Sequence, residues 1–377
     1  MKKCQEPRKK IAFVHDFLVS YGGAERVLES LIKLDAEAPI YTLLYDAELM
    51  KGRFEGREIK VSFLQKLPKF IRKRYRWLLP LYPVAAESFD LREYDVVVSS
   101  SGAWAKGIVT RLRTLHIAYL HSPMRLLWDA NERYLDMVRA GTCGRFLGRI
   151  YLSYLRVWDR EAADRPDILV SNSEYTRSRS LKYYRRDSDV IYPPVTLEEK
   201  GDSVPAREDF FLVVSRLTES KGIDIVISAF NKLKLPLRIV GEGVEYDRLR
   251  KMAEANVVFL GGVDDVGLAL LYRRAKAVVV PSEEDFGMAA AEAVKFKTPA
   301  IVLSQGGTAE IVEQGRTGEY FDAVTPEVIA DSVRRFLDRG RETYVFGDGS
   351  TTRFSEERFL DSFRSLIGRT DGSDISV

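Results

Sequence analysis

A polar, aperiodic run at residues 196–209, TLEEKGDSVPARED, divides two series of short apolar runs that each alternate with stretches of helical apolar spacing. The first series comprises Ile11 to Val14 and residues 94–101, 114–121 and 166–173. The second begins afresh at 210–215 and continues at 235–243, 256–262, 275–282 and 298–304. Strands alternating with helices predict a parallel sheet covered on both faces, and the restart predicts two of them. The expected organisation is therefore α/β in tandem, with an N-terminal domain over 1–195, a linker over 196–209 and a C-terminal domain over 210–355. One more amphipathic helix, at 356–370, is expected to pack back toward the N-terminal domain.

Composition narrows the class. The 377 residues exceed what one hydrophobic core usually serves. Lys and Arg number 58 against 55 Asp and Glu, a balance that argues against a nucleic-acid binder. The two cysteines, Cys4 and Cys143, form no CxxC pair, so neither a disulfide framework nor a zinc site is expected. The run IAFVHDFLV is interrupted by His15 and Asp16 and makes a poor signal peptide. No stretch approaches the roughly 20 apolar residues of a membrane span. The expectation is a cytoplasmic protein whose membrane contact, if any, is peripheral.

The densest chemistry lies in PSEEDFGMAAAEAVKFKTPAI, where an apolar run ends at Pro281-Ser282, an acidic loop follows, and a helix opens near Gly287. Ligands of open α/β sheets bind beyond the carboxyl ends of strands, and the free N–H groups of a helix start favour phosphate or hydroxyl oxygens. Glu292 stands among Ala289, Ala290, Ala291 and Ala293, small residues suited to close packing. It is either a solvated helix carboxylate or one that accepts hydrogen bonds from a vicinal diol such as a ribose.

Glu284 and Glu292, eight positions apart around Phe286-Gly287, resemble the E-x7-E motif of glycosyltransferase family 4. Four further features fall in that family's order: Gly22-Gly23-Ala24-Glu25, His121-Ser122-Pro123, Ser215-Arg216-Leu217 with Lys221-Gly222, and Gly306-Gly307 leading to Glu310-Ile311-Val312 and Gly315. The resemblance spans nearly the whole chain. It implies the GT-B fold, two facing Rossmann-like domains with a cleft between them, and sugar transfer from a nucleotide diphosphate donor with retention. Arg216 and Lys221 would hold the diphosphate, Glu292 the ribose and Glu284 a sugar hydroxyl. The backbone of Phe286, Gly287 and Met288 would bind further oxygens. Gly22 and Gly23 would let backbone approach donor or acceptor, Gly241 and Glu242 would flank the nucleotide, and Val263 would lie near the base. His121 would face the sugar and bind it or polarise the reacting centre. His15 and Asp16 are additional cleft candidates, and His116 reads as core.

No cofactor is implied. The adjacent acids Asp264-Asp265 and Glu283-Glu284-Asp285 do not form a metal-binding DxD, and Arg216, Lys221 and a helix start can take up the leaving charge. HDFLVSYGGAERV, HSPMRLLWD and SNSEYTRSRS look like bacterial polysaccharide mannosyltransferases, which puts GDP-mannose first among donors. UDP-hexoses and nucleotide-sugar binding without transfer stay open. The acceptor would be a saccharide or lipid-linked saccharide. The stretch KLPKFIRKRYRWLLPLYP sets Lys66, Lys69, Arg72, Lys73, Arg74 and Arg76 among aromatics with no acid. It reads equally as a membrane-surface contact across 66–82 or as a solvated helix packed on its own domain.

Overall fold

The structure, a computed structural model, describes residues 9–72, 75–129, 142–198, 207–347, 349 and 352–369. Strands β1 (Ile11–Leu18), β2 (Ile40–Tyr45), β3 (Ile59–Val61), β4 (Val96–Ser101), β5 (Leu115–Leu120), β6 (Ile168–Ser171) and β7 (Asp189–Val190) form one parallel sheet in the order β3-β2-β1-β4-β5-β6-β7. Strands β8 (Phe211–Val214), β9 (Leu237–Val240), β10 (Val257–Gly261), β11 (Ala277–Val280), β12 (Ala300–Leu303) and β13 (Gly318–Phe321) form a second, in the order β10-β9-β8-β11-β12-β13. Helices cover both faces of such sheets, so the inner strands are buried throughout. VVVSSS of β4, AVVV of β11 and AIVL of β12 have no exposed position, which is why none of them alternates apolar with solvent-facing residues.

In each sheet the strand order reverses beside the first strand, between β1 and β4 and between β8 and β11. Open parallel sheets bind ligands at such reversals, outside the carboxyl ends of the strands. That rule directs attention to the loops after β1, β4, β8 and β11.

The chain divides into two compact units, one running to Pro193 and resuming at Phe359, the other spanning Pro194–Arg358. The helix Glu356–Gly368 buries Phe359, Leu360, Phe363 and Leu366 in the first unit's core beside Phe13, Val98 and Tyr119, with the Phe359 and Tyr119 rings 5.7 Å apart. Of the run read as a linker, residues 199–206 lie outside the described residues. Its start is packed rather than free: Leu197 is buried beside Val195, whose N–H donates to the Phe354 carbonyl at 2.9 Å. Polarity along the run hid the Leu197 anchor.

The basic stretch does not form one amphipathic helix. It breaks into a 3-10 turn Phe63–Lys66, a single helical turn Lys69–Arg72, a 3-10 segment Tyr75–Leu81 and a helix Tyr82–Glu87, with Pro68, Pro80 and Pro83 denying donors to any longer ladder. Lys73 and Arg74 lie outside the described residues. Leu78 and Leu79 are buried, while Phe70 is 68% exposed.

Candidate functional site

In the second unit the loops after β8 and β9 are laced together by backbone. Ser215 N–H donates to the Val240 carbonyl at 3.0 Å, and Leu217 N–H to the Glu242 carbonyl at 2.8 Å. The contact demands glycine at 241, where φ is +134° and a Cβ would stand 1.9 Å from the Ser215 carbonyl oxygen. Glu242 in turn accepts from the Gly262 N–H at 3.3 Å, tying this loop to the one that carries the half-buried Val263.

Arg216 is exposed on the β8 loop, and its side chain has no hydrogen bond or ion pair among the described residues. Lys221, five positions on, is different. Its Nζ donates to both carboxylate oxygens of Glu284, at 2.6 and 2.8 Å, and Ser282 Oγ donates to Oε1 at 2.5 Å. Residues assigned from sequence to diphosphate and to sugar are thus joined to each other, each with about a fifth of its side chain exposed.

Glu284 sits on a loop braced from below, for Gly307 N–H donates to the Glu284 carbonyl at 2.8 Å. The loop ends at Gly287, which caps the helix Met288–Lys295 with φ at +102° and leaves no room for a Cβ, 2.4 Å from Thr308 Cγ2. Phe286 turns inward, its ring 5.5 Å from and edge-on to Phe354, so it offers only backbone to a ligand. The N–H groups of Met288 and Ala289, first in the helix, have no partner four residues back.

Glu292, in the interior of that helix, is 5% exposed. The solvated reading of this carboxylate is therefore wrong. Tyr272, buried on the helix Asp265–Arg274, donates its phenolic O–H to Glu292 Oε2 at 2.6 Å, and its ring stacks on Phe296 at 5.8 Å. Sequence reasoning missed Tyr272. Its only signal was a place on the apolar stripe of its helix with Leu268 and Ala269, which marks core rather than partnership.

In the first unit a polar chain crosses the carboxyl ends of β1, β4 and β5. His15 Nδ1 lies 3.0 Å from Ser100 Oγ, which lies 2.7 Å from His121 Nε2, and His15 Nε2 stands 3.6 Å from Glu25 Oε1. Ser100 was missed because a serine inside a buried strand resembles filler. Ser101 Oγ and Asn172 Oδ1, both buried without a hydrogen-bond partner among the described residues, flank His121, whose N–H and carbonyl bond to Ser101 and Asn172. Desolvation and the neighbouring His15 push the His121 pKa down to about 3, so the ring is neutral at ordinary pH.

Asp16 does not join this chain. Its carboxylate accepts from the backbone N–H groups of Gly102, Ala103, Trp104 and Ala105 at 2.6 to 2.8 Å, fixing the loop after β4. His116 is buried, bonded through Nε2 to Ser99 Oγ at 2.8 Å. Gly22 precedes the helix Gly23–Leu31 with extended backbone, and a Cβ there would make only an ordinary contact with Glu25, so the fold itself does not require glycine at 22. Among the described residues, no group of three or more His, Cys, Asp or Glu could hold a metal ion. None of the described helices is long and apolar enough to cross a membrane.

Residues 21–199 match the family described as Glycosyltransferase Family 4, and residues 196–348 match Glycosyl transferases group 1. The chain is 27% identical to the O-antigen chain mannosyltransferase C of Escherichia coli, over 92% of this chain and 94% of that one. It is 24% identical to the human alpha-1,3/1,6-mannosyltransferase ALG2, over 96% and 95% respectively. Among solved structures, Anabaena HepE in complex with UDP and glucose superposes with a TM-score of 0.68 at 18% identity, covering 96% of this chain and all of HepE. The fold is GT-B.

Proposed function

The chain belongs to the glycosyltransferases that join a family 4 N-terminal half to a group 1 C-terminal half, and from that premise we propose that it transfers mannose from GDP-mannose, with retention, to a saccharide or lipid-linked saccharide in cell-surface polysaccharide synthesis. The observation that carries the donor side is the pairing of Lys221 with Glu284 at the β8/β11 reversal, beside a loop whose Arg216 is unoccupied by any described residue. The mannosyltransferase relatives support the sugar.

In this reading the bond from the anomeric carbon to the β-phosphate oxygen breaks, and its electron pair stays on the phosphate. Arg216 meets that charge as a planar fork and Lys221 as a point charge. The N–H groups opening the helix at Met288 add a fixed positive end. Glu284 holds Lys221 in place before the donor arrives and afterwards accepts a hydrogen bond from a sugar hydroxyl. The acceptor oxygen bonds to the anomeric carbon on the face the phosphate leaves, and its proton passes to the departing phosphate oxygen. No metal takes part in these steps. Glu292, oriented by Tyr272, binds the ribose diol, while Gly241, Glu242 and Val263 border the nucleotide.

His121 acts in this scheme by hydrogen bonding, since a ring with a pKa near 3 does not serve as an acid at neutral pH. With the His15 proton on Nε2, toward Glu25, His15 Nδ1 accepts from the Ser100 hydroxyl. Ser100 then accepts from His121 Nε2–H, and the His121 Nδ1 lone pair faces a sugar hydroxyl. Gly22, where a side chain would cost the fold little, and Gly23 beside it keep backbone accessible to substrate.

A UDP-linked hexose is the second reading, favoured by the UDP complex of HepE. The test combines thermal stabilisation by GDP, UDP and their sugars with transfer from labelled donors. GDP and GDP-mannose are expected to raise the melting temperature most. Transfer that persists in both Arg216→Ala and Glu292→Ala would overturn the site.

A further inference from the structure

The helix Thr142–Ala162 carries three distinct faces along its 21 residues. Leu152, Leu155 and Asp159 point into the first unit and are buried. On the outer side Phe146, Leu147, Ile150, Tyr154 and Val157 are each between 54% and 65% exposed. At 100° per residue these five fall within an arc of roughly 100°. Arg145, Arg149, Arg156 and Arg160 occupy the strip between the two faces, an arc of about 60°. Lone exposed apolar residues are ordinary, but five large ones aligned on one helix call for a covering.

The arginine strip identifies the covering. An outward apolar face edged along its length by guanidinium groups matches a surface with an apolar interior and an anionic rim, which is a bilayer of acidic lipids. Arg156 also donates to the Leu127 carbonyl at 3.0 Å, and Arg160 pairs with Asp164, so the strip is held in place at its C-terminal half. Glu161, beyond Val157, closes the apolar face at that end.

We propose that the helix Thr142–Ala162 lies in the surface of an anionic membrane, with Phe146, Leu147, Ile150, Tyr154 and Val157 among the acyl chains and the arginine strip at the headgroup phosphates. This surface differs from the 66–82 stretch singled out from sequence. It would bring the enzyme to a lipid-linked acceptor, but it is read without sugar transfer, so its failure is separable from failure of the donor reading.

The test is co-sedimentation of the full chain with vesicles of phosphatidylcholine alone or with about one third phosphatidylglycerol. Wild type is expected to bind the acidic vesicles and to release from them as salt rises toward about 1 M, where screening is short-ranged. The variant Ile150→Glu/Tyr154→Glu is expected to lose at least about tenfold in vesicle affinity, because two charges enter the apolar layer. Both positions are exposed, so its melting temperature should equal that of wild type. The proposal is overturned if wild type ignores acidic vesicles, or if the double variant binds as wild type while Phe70→Glu does not. It is also overturned if the helix face joins two copies, seen as a wild-type dimer that the double variant converts to monomer.

Discussion

Tyr272 donates its phenolic O–H to Glu292 across 2.6 Å in a setting where both side chains are buried. A carboxylate removed from water needs its oxygens engaged, and an ordering partner on another helix fixes which way the remaining lone pairs point. Tyr272→Phe keeps the ring stacked on Phe296 and deletes only the donor. It is expected to cost about 1–3 kcal/mol, the price of leaving a buried acceptor short of a partner. Scanning calorimetry would register a fall of several degrees. If Glu292 serves the ribose, stabilisation by nucleoside diphosphate should shrink in the same variant. An unchanged melting temperature would mean that the hydroxyl does not matter to the buried carboxylate.

Arg216 and Lys221 should separate function from stability. Arg216 is exposed and engages no described residue, so Arg216→Ala is expected to leave the melting temperature within about 0.5 kcal/mol of wild type. Transfer should nonetheless fall by about 100-fold or more, as loss of a charge-stabilising donor does elsewhere. Lys221→Ala should lose comparable activity and also some stability, because Glu284 keeps Ser282 but loses its cation. Steady-state rates alongside thermal melts distinguish the two. A stability loss confined to Arg216→Ala would contradict the observed pairing.

What was legible in the chain follows from burial. β4, β5, β11 and β12 are enclosed on both faces and announce themselves by apolar stretches without alternation, broken only by the serines of β4 and the histidine of β5, and the glycines at 241 and 287 mark turns that no other residue could make. β3 and β7 are edge strands of three and two residues with little buried surface, so no periodic pattern discloses them. β2, IYTLLY, carries the same apolar signal as β5 and could have been read. Side-chain partnerships were not legible at all. Tyr272 and Glu292, or His15 and Ser100, are 20 and 85 residues apart, and only the sheet order brings them within bonding distance.

Acid should weaken the first unit through its histidines. Burial, with Arg186 and Arg165 nearby, lowers the His116 pKa to about 3, and that of His121 is also about 3. In the unfolded chain each returns to about 6.5. Between those values the unfolded chain binds protons that the native state refuses, so the stability from these rings is complete above about pH 6.5 and is lost as pH falls toward 3. The slope is at most about 1.4 kcal/mol per pH unit for each ring. His116→Gln, which cannot gain a proton, should flatten the decline in melting temperature between pH 6.5 and 5. A decline as steep as that of wild type would assign the acid sensitivity to other groups.

Asp16 supplies the sharpest case in which a polar residue within a strand shapes the candidate site without joining it. Its two oxygens accept four backbone N–H bonds from residues 102–105, the loop that directly follows Ser100 and Ser101 on β4. Those four donors converge on one point, and an anion with two acceptor oxygens satisfies them all. Asp16→Asn keeps size and shape but turns one oxygen into an amide that itself donates, so two backbone N–H groups face a donor inside the protein. The expected loss is about 2–4 kcal/mol, from unpaired buried donors and a missing charge. Because the loop directly follows the strand end whose Ser100 bonds His15 and His121, transfer should fall even at temperatures where the variant remains folded. Denaturant unfolding and transfer assays on Asp16→Asn, with Asp16→Glu as a size control, test both effects. Wild-type stability in Asp16→Asn would show that charge on this carboxylate is dispensable to the loop.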